Sequence, residues 1–232
     1  FVGLVDIGYT LNATMKQYLL NMGLPESKIR VFAMNTIERD RLHIDSAHVG
    51  EVRKKYGIRD DQKVILCVGR LETEKGYPRL FEVFSKLDKN SVLIVLGRGS
   101  LLEEFKEKTK MLGIAERVIF CGFIHREEIW NYYKDADVFV LLSNAEALGV
   151  VFWEAMYVRV PVVGSMAPGI VETLGNDGNR GRLVEENEPL SLIKEKINFC
   201  LHPSAEKEAM LDRAKIYVEE QIQNGLTVND LV

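Results

Sequence analysis

The sequence predicts an α/β domain built on a doubly wound parallel sheet. Three observations carry that prediction. Apolar runs of strand length recur along the chain, they are continuous rather than alternating, and amphipathic helix-length stretches separate them. A strand covered on both faces needs apolar side chains on both sides of its pleat. An unbroken β-branched run therefore marks a parallel sheet held between helices. Repeated strand-then-helix order with right-handed crossovers gives the doubly wound arrangement.

The elements follow in order. Residues 64–68 (VILCV) run into Gly69, and residues 92–96 (VLIVL) run into Gly97. Residues 117–121 stop at Gly122, 138–142 at Ser143, and 160–163 at Gly164. Between them, Leu80, Phe81, Phe84 and Leu87 share one helical face, as do Leu101, Leu102, Phe105 and Leu112. The first 45 residues predict a strand over 1–7, a helix over 10–22 stopped by Gly23 and Pro25, and a short strand over 28–33. Residues 45–57 predict one polar helix. Residues 204–223 predict a long amphipathic helix, with Ala209, Ile216 and Val218 among its few apolar positions.

Composition removes several function classes. Thirty Lys and Arg stand against 34 Asp and Glu, a net charge of −4, so the positive excess of a nucleic-acid binder is missing. No apolar run reaches the roughly 18–20 residues that cross a bilayer. The first residues carry no basic segment of a signal peptide, and the chain reads as one entered in the middle. Three widely spaced cysteines (Cys67, Cys121, Cys200) make neither a disulfide framework nor a CxxC metal site, and read as small buried apolar groups. Four scattered histidines give no metal spacing. Gly97-Arg98-Gly99 is not completed to a dinucleotide fingerprint, and there is no P-loop and no G-x-S-x-G elbow.

Sheets of this kind bind ligands beyond the carboxyl ends of their strands. Those ends are Gly69-Arg70, Gly97-Arg98-Gly99, Gly122-Phe123, residues 143–146 and Gly164-Ser165. Glu154 falls in an otherwise apolar helical stretch, with Val150, Val151, Tyr157 and Val158 as its helical neighbours. A carboxylate there needs compensation, either from a ligand or from a nearby Arg or Lys. Glu146 sits at the preceding strand-to-helix turn, where the helix dipole alone would favour an acid. Arg70 and Lys75 flank the next helix start, where a cation calls for an anionic partner. A planar fork and a point charge together suit a diphosphate, and balance by Glu72 and Glu74 is the alternative. His125 is read as an ordinary helix N-terminal residue.

In this order the residues resemble the nucleotide-sugar-binding domain of retaining glycosyltransferases of the GT-B fold, family 4 in particular. The resemblance runs over about residues 29–201. It rests on Gly69-Arg70 through Lys75-Gly76, Gly97-Arg98-Gly99, Val118 to Gly122, Ala136 to Ser143, the paired acids Glu146 and Glu154 with Ala155-Met156, Pro161 to Ser165, and Gly169 with Glu172. It implies a Rossmann-like domain forming the C-terminal half of a GT-B fold. Residues 1–45 would end the acceptor-side domain and cross between domains. Residues 46–203 would bind the donor, and 204–232 would form a C-terminal helix and tail.

By the same resemblance, Arg70, Lys75 and Glu146 are the expected catalytic residues. Arg70 and Lys75 would hold a donor diphosphate, and Glu146 would touch the transferred sugar. Glu154 would meet the ribose, backbone groups near Phe123 and Ile124 the base, and the amides of Leu148, Gly149 and Val150 the phosphate or sugar, with Gly69 and Gly97 lining the site. The donor would be a UDP- or GDP-sugar, with no metal. The acceptor would be a sugar, lipid or glycan held by a largely absent N-terminal domain, so this portion alone would transfer poorly. The location would be cytoplasmic, or peripheral at a membrane surface. A non-catalytic nucleotide-sugar-binding module and an epimerase or hydrolase on the same fold are the alternatives. Three departures stand out. Ala147 replaces the usual Gly after the first acid, Arg159 replaces a Gly and would be strained at positive φ, and Pro168 replaces a donor in the sugar loop.

Overall fold

The computed structural model describes residues 4–10, 13–31, 37 and 41–224. Parts of several sequence expectations lie outside the described residues: 1–3 of the first strand, 11–12 of the first helix, 32–33 of the strand over 28–33, and 32–36 of the interdomain crossing. Residues 225–232 of the tail also lie outside them.

Two sheets are present among the described residues. A small one pairs β1 (Gly8–Thr10) with β2 (Ile29–Val31) in parallel, with α1 (Ala13–Asn21) between them in sequence. The predicted strand over 1–7 is corrected to β1. Among the described residues only 8–10 come opposite β2, and Leu4 is left exposed.

The large sheet follows α2 (Arg41–Ser46) and α3 (Glu51–Tyr56). Its chain order is β3 (Lys63–Val68), α4 (Tyr77–Phe84), β4 (Ser91–Leu96), α5 (Leu102–Met111), β5 (Val118–Gly122), α6 (Arg126–Asp135), β6 (Val138–Leu141), α7 (Val150–Tyr157), β7 (Val162–Ser165), α8 (Pro168–Leu174), β8 (Arg182–Val184), α9 (Leu190–Leu201) and α10 (Ala205–Asn224). In space the order is β5-β4-β3-β6-β7-β8, with every pairing parallel. The chain builds outward from β3 through β4 to β5, then returns to β6 on the other side of β3. The β3/β6 boundary is thus the topological switch point, where such sheets open a crevice.

The continuous apolar runs became the buried centre: Val64 to Cys67, Val92 to Leu96 and Val138 to Leu141 are all buried. Helices cover both faces, and Tyr77, Phe81, Phe105 and Phe120 stack ring against ring under α4 and α5. Cys67 and Cys200 are buried free thiols, and burial pushes each up to about 12. Cys121 is half-buried, and burial again raises its thiol.

One further expectation changes. The single polar helix over 45–57 is two helices, broken where Gly50 takes φ 93°. The open amides at the start of α3 find a remote cap: the buried Asp135 carboxylate accepts from the N–H groups of Gly50 (2.5 Å), Val52 (2.8 Å) and Arg53 (3.1 Å). The long helix over 204–223 is present as α10; its buried face is Met210, Leu211, Ala214 and Val218, packed on α7, and Ala209 and Ile216 face solvent. β8 was not foreseen from the sequence.

Arg159 does adopt φ 63°, the only non-glycine at positive φ among the described residues. Its guanidinium pairs with Asp212 and Glu208 (3.1 Å) of α10 at a half-exposed site. Left-handed strain costs about 1–2 kcal/mol, and each such surface pair returns about 0–1 kcal/mol. Arg159→Gly is therefore expected to be neutral to stabilising by about 1 kcal/mol, read as a rise of roughly 2–4 °C in Tm. A clear fall would show that the pairs to α10 outweigh the strain.

Candidate functional site

The loops leaving the strands are fastened to one another in a row. The Gly97 N–H donates to Gly122 O (2.8 Å), Gly69 N–H to Leu96 O (2.9 Å), and Leu71 N–H to Arg98 O (3.0 Å). Glu72 accepts from the Ser100 N–H and hydroxyl, both at 2.9 Å, and these bonds lower its carboxyl below the usual range. Across the switch point, the Glu74 carbonyl accepts from the Asn144 N–H (2.7 Å) and the Ser143 hydroxyl (3.0 Å). The Ser165 hydroxyl donates to Ser143 O, and the Gly169 N–H to Glu146 O (3.0 Å). Side chains carried by these loops are thereby held in register.

The fastening brings Lys75 and Glu146 together. Nζ lies 2.8 Å from Oε2, with the side chains only 14% and 18% exposed. This pair joins the exit of β3 to the exit of β6. The carboxylate at the strand-to-helix turn thus has a cation as its partner, in addition to the dipole of α7. Arg70 is placed differently: it is exposed and pairs with Glu74 at 2.7 Å, the balance that the sequence left open as its alternative.

Glu154 is buried as expected, 1% exposed in the second turn of α7. Two side chains compensate it. Arg126 Nη1 lies 2.5 Å from Oε1, and the buried Tyr133 hydroxyl donates to Oε2 at 2.7 Å. Burial and the adjacent carboxylate push the Tyr133 hydroxyl well up, which keeps it a donor. Among the described residues Glu154 pairs with neither Lys75 nor Arg70. The acids of the 146/154 pair therefore belong to two separate ion pairs. Arg126 and Tyr133 were missed in the sequence. Arg126 opens α6, a position where the dipole disfavours a cation, so the reasoning applied to Lys75 would have found it.

The remaining expected residues take these places. Gly69 receives the Tyr77 hydroxyl on its carbonyl (2.9 Å), which seats the loop on α4. Leu148 and Gly149 are buried ahead of α7 and Val150 begins it. Phe123 is exposed and Ile124 half-buried at the exit of β5. His125 directly precedes α6, as read. Pro168 opens α8, where no helical donor is needed. Among the described residues no group of three His, Cys, Asp or Glu side chains could hold a metal ion. A cavity of about 790 Å³ lies beside α8, lined by Glu172, Asp177 and Arg180 among others, and includes none of Lys75, Glu146 or Glu154.

The family model "Glycosyl transferases group 1" matches residues 49–217, which span the whole six-stranded sheet and most of α10. The chain belongs to this family. The family's curated members include an uncharacterized glycosyltransferase, MJ1607, of Methanocaldococcus jannaschii, 31% identical over 175 residues, covering 73% of this chain and 45% of that protein. They also include a GDP-mannose-dependent alpha-(1-6)-phosphatidylinositol monomannoside mannosyltransferase of Mycolicibacterium smegmatis, 31% identical, covering 64% and 41%. The chain thus spans about half the length of the curated relatives it matches. Among solved structures, Anabaena Alr3699/HepE in complex with UDP-glucose superposes with a TM-score of 0.79 at 21% identity, covering 94% of this chain and 60% of that one. The α/β Rossmann-like fold is therefore that of the GT-B glycosyltransferases, and no described helix is long and apolar enough to cross a membrane.

Proposed function

We propose that this portion binds a nucleoside-diphosphate sugar at the β3/β6 switch point and supports transfer of the sugar, with retention, to an acceptor held elsewhere in a longer protein. The Lys75–Glu146 pair carries the reading. An ammonium has three donors, and Glu146 takes one, so two remain for diphosphate oxygens. Glu146, held beside it, is placed to accept from hydroxyls of the sugar that the diphosphate bears. As the bond to the sugar breaks, charge grows on the diphosphate, and Lys75 is already positioned to stabilise it. Arg70 would supply a second cation by turning from Glu74, an exposed pair that costs little to break. Glu154 would accept from the ribose. At 1% exposure it is covered by Arg126, so that contact requires the guanidinium to turn aside. The names of the relatives support the donor class: one is GDP-mannose-dependent, and a structural neighbour holds UDP-glucose.

The test is a thermal-shift titration with UDP and GDP. Both are expected to raise Tm. Lys75→Ala removes one charge-assisted contact, about 1.5–3 kcal/mol, and should weaken binding roughly 10- to 150-fold. No shift with either nucleotide, or an unchanged shift in Lys75→Ala, would remove the assignment.

A further inference from the structure

A second cavity, of about 710 Å³, opens at the amino ends of β3 and β4, beside the turn that follows α4 and the last turns of α9. All strands run parallel, so it lies about a strand length, roughly 17–20 Å, from the loops that carry Lys75 and Glu146. Lys63, Lys86, Lys89 and Lys194 line it, with Asp61 and Asp88 as its acids. Both acids are already engaged. Asp61 pairs with Arg59 at 2.9 Å and accepts from Asn90 Nδ2 at 3.1 Å, and Asp88 accepts from the Asn90 N–H at 2.8 Å. Lys63 is held by Asp137 at 3.1 Å. Among the described residues, the side chains of Lys86, Lys89 and Lys194 make no hydrogen bond and no ion pair.

Ser91 supplies a second, independent observation. It opens β4, lines the same cavity and is 1% exposed, yet its hydroxyl has no hydrogen-bond partner. Its backbone is fixed. The N–H donates to Asp88 O at 3.1 Å, and the carbonyl accepts from Arg117 Nη1 at 3.4 Å, whose guanidinium carbon lies 4.6 Å from the Phe84 centroid. A buried hydroxyl without a partner has given up its bonds to water for nothing, and folded proteins keep few such groups. This one borders a space in which a partner can sit.

The geometry points to a second ligand site here, for a small soluble anion bearing phosphoryl groups, separate from the donor site and independent of it. Ammonium groups only donate, and the Ser91 hydroxyl is free to donate. Their common complement is an anion rich in acceptors, and phosphate oxygens meet that description. The volume lies in the range of small-molecule sites, about 300–1,000 Å³, and exceeds what one inorganic phosphate would fill. The ligand therefore carries several phosphoryl groups, or one on a larger polar body. A lipid surface is a poorer match, because the apolar lining residues Leu87 and Leu201 are 4% and 6% exposed and leave nothing to enter a bilayer.

The full chain, labelled with nitrogen-15, is titrated with inorganic tripolyphosphate, with amide shifts locating the site and calorimetry giving the affinity. Amides of residues 86–91 and 194–202 should shift, and should shift alike in Lys75→Ala, which separates this site from the donor site. Lys86→Ala with Lys194→Ala should weaken that binding at least about 10-fold and leave UDP and GDP binding unchanged. Lys86 is exposed and Lys194 half-buried, so the double variant is expected to fold, which an unchanged Tm without ligand would verify. Ser91→Ala should weaken tripolyphosphate binding about 10-fold while its Tm without ligand holds or rises, because no bond within the fold is lost. A lower Tm with unchanged affinity in Ser91→Ala would show a structural hydroxyl and overturn the site. Shifts confined to the donor loops, or shifts at 86–91 and 194–202 that persist at full affinity in the double variant, would overturn it too. Vesicles of phosphatidylcholine and phosphatidic acid should leave the chain in solution; sedimentation with them that the double variant abolishes would replace the soluble ligand with a lipid headgroup.

Discussion

Arg126→Ala is expected to lower stability by about 3–5 kcal/mol, a large loss for a side chain that is 35% exposed. The cost falls on its partner. The Glu154 side chain is 2% exposed, and its counter-charge sits 2.5 Å away. Tyr133 donates to the other oxygen but is neutral, so it cannot balance the charge. Removing Arg126 leaves a buried carboxylate uncompensated, which costs more than the pair contributes while intact. For a chain of this length the drop corresponds to roughly 6–20 °C in Tm. Adding Glu154→Gln to the same variant removes the orphaned charge and should restore most of the loss. Urea unfolding of the two single variants and the double variant measures the coupling. A single-variant loss below about 1 kcal/mol would show that Glu154 does not depend on Arg126.

Gly97→Ala is the second large effect. Gly97 has φ 143°, and a Cβ there would lie 1.9 Å from the Gly69 carbonyl oxygen, a rigid backbone atom. The two loops must separate to admit the methyl group. Backbone strain and overpacking each cost about 1–3 kcal/mol, so a combined loss of about 3 kcal/mol or more is expected. Gly122→Ala is the control: its φ of 71° is also left-handed, but nothing lies within 4 Å of an added Cβ. That change should cost only the left-handed strain, about 1–2 kcal/mol. Because Gly69 leads toward Lys75, Gly97→Ala should also weaken UDP and GDP binding, whereas Gly122→Ala should leave the Lys75–Glu146 pair intact. Equal costs for the two substitutions would show that the loops are not in close contact.

What the sequence made legible depended on whether the signal was local. β3, β4, β6 and β7 were readable because a strand buried on both faces must be apolar throughout, and Val64 to Cys67 or Val92 to Leu96 can satisfy little else; β5, half-buried at the sheet's edge, was readable from its apolar run into Gly122. β8 escaped because Arg182-Leu183-Val184 is an edge strand of three residues with a half-exposed arginine at its start. The break at Gly50 was invisible because the residue that makes it tolerable, Asp135, lies 85 positions away. In α10 the stripe Met210, Ala214 and Val218 follows a four-residue spacing, but the long charged run hides it. At the site, the burial of Glu154 followed from its four apolar neighbours. The identity of its partners did not, because Arg126 is 28 residues away and Tyr133 21. Lys75 and Glu146 were each legible as charges near a helix start, yet their pairing is a property of the switch point, 71 residues in sequence.

The cap on α3 also bears on the order in which this chain is made. Val52 leaves the ribosome 83 residues before Asp135. At about 5–20 residues per second, roughly 4–17 s separate the two. Throughout that interval the first amides of α3 can bond only to water, so this helix is expected to settle late in synthesis, on the arrival of an acid from the end of α6.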